Sequence, residues 1–365
     1  MKTPIMQFGT SRFLQAHADL FISEAAARGE ALGGITVVQT SGSPERASRL
    51  TGLTAAEGFP VQIRGLENGV AIDRTVRVSS VKRALSTATD WDEIARIFIN
   101  ETAVVLCNTA DKGYDISAEP DMPNDAPPAS SPGKLTKLLH ARYTAGQAGL
   151  TVLPCELISA NGDVLRSIIL DLAGRWYPDV GFMRWLSAEN VFCNTLVDRI
   201  VSEALQPAGA VAEPYALWAI QRKAGQVLPC SHAAIVVADD IDRYEKLKLF
   251  ILNLGHTVLA DLWLKRGSPA DMTVKDFLAI PEVRTHLLGI YDEEVMPGFA
   301  GMRLGDEAKA YVTATLQRFE NPFLAHFLRD IAQNHAEKIE RRLGGFINWS
   351  GTTPPRLVAI AGERR

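Results

Sequence analysis

Several things are scarce in this chain, and each scarcity narrows what it can be. Cysteine is one: there are four in 365 residues, Cys107, Cys155, Cys193 and Cys230. They are widely spaced, with no Cys-x-x-Cys pair and no His-x3-His pattern, so no zinc site is expected. Each lies in or beside an apolar stretch, where a reduced, buried thiol behaves as a small hydrophobe. An excess of positive charge is also missing. Lys and Arg number 38 against 42 Asp and Glu, a net charge of −4, which leaves no footprint for nucleic acid. No uninterrupted apolar run reaches the roughly 18 residues of a membrane span, so none is expected. The N-terminus, Met-Lys-Thr-Pro-Ile-Met-Gln-Phe-Gly, lacks an apolar signal region and reads as a strand, so a cytoplasmic protein is expected. No internal repeat is present.

With 47% hydrophobic and 22% charged residues, the composition is that of a globular protein long enough for two cores. The first half alternates strands and helices. Strands are expected at 4–8, 34–40, 60–64, 70–78, 103–107 and 150–154, and helices at 17–28, 90–99 and 134–145. That order predicts an α/β fold with a doubly wound parallel sheet. Residues 119–133 carry five prolines and read as a surface connector. The remainder is helical and amphipathic at 257–265, 274–278, 281–294, 308–318 and 321–342, with a docked end and a frayed tail after 344. The domain expectation is therefore residues 1–238, a Rossmann-like dinucleotide-binding domain, and 239–365, a mostly α-helical substrate domain.

The opening strand runs into Gly9-Thr10-Ser11-Arg12-Phe13, a turn entering a helix, which would set a phosphate at a helix N-terminus. Strict G-x-G-x-x-G is absent, because Ser11 and Leu14 stand at the second and third glycine positions. The second strand ends at Gln39-Thr40-Ser41 with no acid to hold a ribose. Ser43, Glu45 and Arg46 follow, and a 2′-phosphate is as readable there as a ribose, so NAD and NADP both stay open. The strand 103–107 runs into Asn108-Thr109, a polar turn at the sheet end where open α/β sheets bind ligand. Glu156, near another strand end, is either a structural acid or a site residue. Asn161-Gly162 reads as a turn with Asp163 beginning a helix, and Asn194 as the end of a short strand followed by a helix.

The most informative stretch is Asp242 to Ala260. Asp242 and Glu245 mark a helix start. At 100° per residue, Lys248, Asn253 and His256 fall near 0°, 140° and 80° on the wheel, among apolar residues on every side. Such a helix is expected to be buried, and its three polar groups must find partners or face a cavity. A buried lysine has its pKa lowered toward neutrality, which suits a general base, and an amide and an imidazole can hold an oxygen whose charge changes. A snorkelling lysine, a backbone-bonded Asn and a core His form the plainer alternative.

Lys248-x4-Asn253-x2-His256 resembles the signature of the polyol-specific long-chain dehydrogenases, the mannitol dehydrogenase family. Other segments match that family in order: Gly9-x3-Phe13-x2-Ala16-His17, Asn108-Thr109-x3-Gly113-Tyr114, Asn194-Thr195-x-Val197-Asp198-Arg199-Ile200, Glu213-Pro214-Tyr215-x2-Trp218 and Arg318-Phe319-x-Asn321-Pro322. The run Pro154-Cys155-Glu156-Leu157…Asn161-Gly162-Asp163 is closest to the tagaturonate and fructuronate reductases. The resemblance implies a metal-independent, NAD(P)-dependent oxidoreductase, leaning to NAD, that interconverts a secondary alcohol and a ketone on an open-chain sugar acid. Lys248 would be the catalytic acid–base, Asn194 and Asn253 would hold the reacting oxygen, and His256 would orient a neighbouring hydroxyl. Gly9, Thr10, Ser11, Arg12, Phe13, Thr40, Ser41, Asn108 and Thr109 would line the cofactor, and Arg318 and Glu156 the substrate. A mannitol or polyol-phosphate dehydrogenase is the near alternative, and a non-catalytic nucleotide-binding protein the distant one. The partner is a small sugar acid or polyol, with no nucleic acid or membrane, and the protein a monomer or small homo-oligomer.

Overall fold

A computed structural model describes residues 2–41, 47–109, 113–120, 122–124, 126–267 and 269–362. The chain forms two compact units. The first comprises Met1–Ile63, Arg74–Ala212 and Ala216–Ile241; the second comprises Arg64–Asp73, Glu213–Tyr215 and Asp242–Arg365.

The first unit is built on a parallel sheet of six strands, in the spatial order Val81–Ser86, Ile35–Gln39, Ile5–Phe8, Val104–Cys107, Thr151–Pro154, Val191–Phe192. Ile5 stands opposite Ile35 on one side and Val104 on the other. The central strands are largely apolar, with Gln7, Thr36, Gln39 and Thr151 as exceptions, and are buried along their whole length, as strands covered on both faces are. Helices Trp91–Asn100, Ser131–Thr144, Asn161–Trp176 and Val180–Glu189 contribute to one apolar core with Met6, Phe8 and Val105. Strand order reverses between Ile5–Phe8 and Val104–Cys107, and the crevice at such a reversal is where open α/β sheets bind ligand.

Two expected strands belong elsewhere. Phe59–Glu67 and Val70–Val78 lie in a separate four-stranded sheet with Val201–Ala204 and Ala210–Ala212. The two-residue connection Asn68-Gly69 has φ of +52° and +78°, the conformation of a tight hairpin turn. It folds the two strands onto each other and removes them from the parallel sheet. The third strand of that sheet is instead Val81–Ser86, which was not expected. A further sheet joins Thr195–Asp198, Leu217–Gln221 and Ile235–Ala238. The helix expected after Asn194 is thus a strand, consistent with the β-branched Thr195 and Val197 and their pairing with Ile220 and Trp218.

Two helix starts also differ. The helix expected from His17 is broken: one turn, Arg12–Gln15, precedes Ala18–Ala26. His17 at the break is fully buried, hydrogen-bonded through Nε2 to Leu217 O and packed against Phe13 and Phe21. Asn161-Gly162 is no turn; the helix begins at Asn161 after Ala160 at φ +51°.

Apart from the strand segments in Arg64–Asp73, the second unit is mostly helical, around a core that includes Phe250, Leu254, Phe277, Tyr291, Phe299 and Phe346. Its axis is a continuous helical run from Asp242 to Arg266. By length and composition this run resembles a membrane span, yet two thirds of its most apolar window (67%) is buried inside the protein, as in a core helix. The expected helix over 321–342 is interrupted; it forms as Leu328–Ile331 and then as His335–Ile339 running on into Glu340–Gly344, with Asn334 at φ +52° before the second piece. The end after Gly344 holds two more helices, Gly345–Ser350 and Pro355–Gly362. Among the described residues, three stretches are π-helical: Lys248–Asn253, Tyr291–Val295 and Glu340–Gly344.

Candidate active site

In the first unit the expected cofactor residues converge at the strand-order reversal. Gly9 has φ +121°, and a Cβ there would stand 2.8 Å from the Asn108 carbonyl oxygen. Only glycine fits this turn without strain. Ser11 caps the following turn, accepting from Leu14 N at 3.2 Å and donating to Asn108 Oδ1 at 3.1 Å. The Asn108 amide in turn donates to Cys155 O at 2.7 Å. Three strand ends are thereby stitched together. Because the helix here is a single turn, its dipole is small. An anion would rest instead on first-turn N–H groups such as those of Arg12 and Phe13, which have no intrahelical acceptor. Thr10 is buried and its carbonyl accepts from Arg49, while Arg12 is exposed.

Thr40 and Ser41 follow the second strand. Their carbonyls accept from Thr87 Oγ1 and Gln39 Nε2. Ser43, Glu45 and Arg46 lie outside the described residues.

Glu156 is buried, and its carboxylate accepts from Thr109 N (3.0 Å), Thr109 Oγ1 (3.1 Å) and Tyr114 Oη (3.1 Å). Burial pushes its carboxyl above the usual range despite these donors. One oxygen is engaged by Thr109 and the other by Tyr114, so Glu156 acts as a brace for the polar end that carries Asn108 and Thr109. Asn161 is a second brace that sequence reasoning read only as a turn. It is buried; its amide donates to Pro154 O, Glu156 O and Thr195 O, and its Oδ1 accepts from Thr195 N. Asn194 is fixed beside it: its amide donates to Asp163 Oδ2 at 2.7 Å and its Oδ1 accepts from Asp163 N. Lys223 holds the other oxygen of Asp163 at 2.8 Å.

In the second unit the expected catalytic stretch coincides with the first π-helical segment. The N–H of Leu254 reaches back five residues to Leu249 O. With i→i+5 bonding the turn per residue falls to roughly 82°. The five steps from Lys248 to Asn253 then total about 50° beyond a full circle, not the 140° of an α-helix. Three α-helical steps carry the chain on to His256. All three side chains then leave the helix within about 60° of one another. The expectation of a helix buried on every side is corrected, since Lys248 and Asn253 are only half-buried.

His256 is buried, with its ring 4.5 Å from Phe319 and 4.7 Å from His326. Its Nε2 has no hydrogen-bond partner among the described residues. Burial first, then the neighbouring His326, Arg342 and Arg318, hold its pKa well below that of a free imidazole. It is therefore a neutral ring with an unfilled hydrogen-bonding position.

Arg318, expected near the substrate, is held by a partner that sequence reasoning did not connect to it. Its Nε and Nη2 meet the two oxygens of Glu213 at 3.0 and 2.8 Å. Its Nη1 donates to Tyr311 Oη at 3.3 Å, and the Tyr215 ring lies 4.4 Å from the guanidinium. The Glu213-Pro-Tyr215 and Arg318-Phe-x-Asn321 motifs are thus two halves of one buried cluster, completed by Asn321 donating to Arg64 O.

A family model described as the mannitol dehydrogenase Rossmann domain matches residues 3–228, and one described as the mannitol dehydrogenase C-terminal domain matches 240–353. The chain belongs to the mannitol dehydrogenase family. It is a dehydrogenase acting on CH–OH groups. Among curated family members, altronate oxidoreductase of Bacillus subtilis (strain 168) is 31% identical over 381 residues, covering 97% of this chain and 77% of that protein. The altronate oxidoreductase of Klebsiella pneumoniae (strain 342) is 33% identical over 387 residues, with the same shares. Two solved structures share the fold. D-sorbitol dehydrogenase in substrate-free form gives a TM-score of 0.80 at 19% identity, covering 95% of this chain and 76% of that one. Pseudomonas fluorescens mannitol 2-dehydrogenase, solved with NAD and D-mannitol, gives 0.75 at 20%, covering 99% and 78%.

Proposed function

We propose that this enzyme interconverts a secondary alcohol and a ketone on an open-chain sugar acid, in the manner of a tagaturonate or fructuronate reductase, with NAD as redox partner. The observation that supports the reading is the π-helical segment from Lys248 to Asn253, whose wider turn would bring Lys248, Asn253 and His256 toward one side of their helix. A base, an amide and a neutral imidazole on one face suit a carbinol flanked by other hydroxyls. In the oxidising direction, Lys248 takes the hydroxyl proton as general base. The Asn253 amide donates to the oxygen as negative charge grows on it, and Asn194 is assigned the second such donor on its motif. His256 offers Nε2 to an adjacent hydroxyl. In the reducing direction, protonated Lys248 delivers its proton to the ketone oxygen. A bound nicotinamide would supply the hydride acceptor in the oxidising direction and the hydride donor in the reducing one. The Gly9 turn, whose space a Cβ would fill, suits a close pyrophosphate, and Thr10, Ser11, Arg12, Phe13, Asn108 and Thr109 surround it in this reading. The sugar-acid substrate is favoured by the altronate oxidoreductases named above.

The test is absorbance of the reduced nicotinamide with a panel of ketohexuronates and ketohexoses, run on the wild type and Lys248→Met. Oxidation of NADH by a ketohexuronate, lost by roughly 10²–10⁴-fold in the variant, is expected. Turnover restricted to ketohexoses would move the substrate to polyols. Wild-type rates in Lys248→Met would remove the lysine from the chemistry.

A further inference from the structure

A π-helical turn inside an α-helix is strained relative to the α register and persists where something outside the helix holds it. Here the holders can be named. Ile251 O, inside the segment, accepts from the phenolic Oη of Tyr291 at 2.9 Å, with both residues fully buried. Asn253 O, at its end, accepts from Arg342 Nη1 at 3.2 Å and from Thr257 Oγ1 at 2.9 Å. Arg342 also donates to Thr257 Oγ1 at 3.0 Å. Tyr291 and Arg342 themselves lie in the other two π-helical segments of the unit. Gly255 completes the fit, because a Cβ there would overlap the Tyr291 hydroxyl. The glycine between Asn253 and His256 is thus what admits the phenol to the carbonyl.

We propose that Tyr291 and Arg342 are positioning residues for the reaction. They hold carbonyls of the 248–253 turn in its π register, and Gly255 makes the opening through which Tyr291 acts. Neither needs to touch the substrate. If the segment relaxes to the α register, Asn253 swings from about 50° to about 140° away from Lys248 around the helix. The general base and its partner amide then no longer face one carbon. The proposal rests on the catalytic role given to Lys248 above.

The experiment uses the full-length protein as Tyr291→Phe, Arg342→Lys and Gly255→Ala, and the double variant Gly255→Ala/Tyr291→Phe. Two readouts are taken: steady-state kinetics, and amide hydrogen exchange across residues 248–257. Each single variant is expected to lower kcat by roughly 10–100-fold, with the KM for the nicotinamide cofactor unchanged and exchange accelerated in that stretch. The double variant is expected to recover part of the kcat lost in Gly255→Ala, since removing the hydroxyl relieves the overlap. Unchanged exchange in Tyr291→Phe and Arg342→Lys would overturn the clamp. Accelerated exchange with wild-type kcat would overturn its role in positioning, as would a lowered melting temperature with kcat intact. Failure of the Lys248 assignment is read separately: Lys248→Met would then keep turnover, while the exchange data would still decide whether the clamp exists.

Discussion

Glu213 and Arg318 meet through two parallel hydrogen bonds, with side chains only 2% and 3% exposed. They are 105 residues apart in sequence. A two-pronged carboxylate–guanidinium pair is strong and geometrically specific, but its stability depends on both charges being present. Glu213→Ala leaves a buried guanidinium without its counter-ion and is expected to cost about 3–5 kcal/mol in urea unfolding. The double variant Glu213→Ala/Arg318→Met should be less destabilised than the single one. A loss near zero in Glu213→Ala would show that water reaches the arginine.

Gly9→Ala introduces both strain and a clash. With φ at +121° and Asn108 O in the way, the turn must shift, at a cost of about 1–3 kcal/mol. Nicotinamide-cofactor affinity, measured by fluorescence titration, should fall with it, while the isolated Glu213–Arg318 cluster is untouched. Undiminished affinity would mean that the turn does not receive the cofactor.

Asp19 gives a pH dependence whose sign can be worked out. It is completely buried, and burial outweighs the help of Gln7, pushing its carboxyl up to about 8. The folded protein therefore holds a proton that the unfolded chain has released, and stability drains away as pH rises from about 4 to about 8. Asp19→Asn, which has no proton to lose, should be the more stable protein at pH 8, by up to several kcal/mol. The difference should close toward pH 4. Denaturant titrations at the two pH values measure this, and equal gaps at both would contradict the raised pKa.

The buried histidines act in the opposite direction. Burial brings His326 down to about 4 and holds His256 well below its ordinary value. The unfolded chain takes up these protons first, so their contribution is intact above about pH 6.5 and is lost as pH falls toward 4. His326→Phe should flatten the acid limb of the melting-temperature profile between pH 6.5 and 4.5. An unaltered limb would place its origin elsewhere.

Local pattern alone determined a good deal of this molecule. The β-branched runs at Ile35–Gln39 and Val104–Cys107 specify buried strands wherever they are placed, and a turn follows each one. The Lys248-x4-Asn253-x2-His256 spacing, with the other motifs in order, specified the family. Other features were present in the sequence but ambiguous. Asn68-Gly69 encodes a hairpin turn, yet nothing local says that the strands it joins leave the parallel sheet. Val81–Ser86 carries Lys82 and Arg83 and has little apolar pattern, because an edge strand has one side to solvent. Tertiary structure decided the rest. Glu213 and Arg318 find each other only when distant segments fold into one unit. The 100° wheel that separates Lys248 from Asn253 assumes an α-helix throughout. The choice of a π turn rests on a tyrosine and an arginine some 40 and 90 residues further on, and side-chain bonds to backbone carbonyls over such distances leave no periodicity in the chain itself.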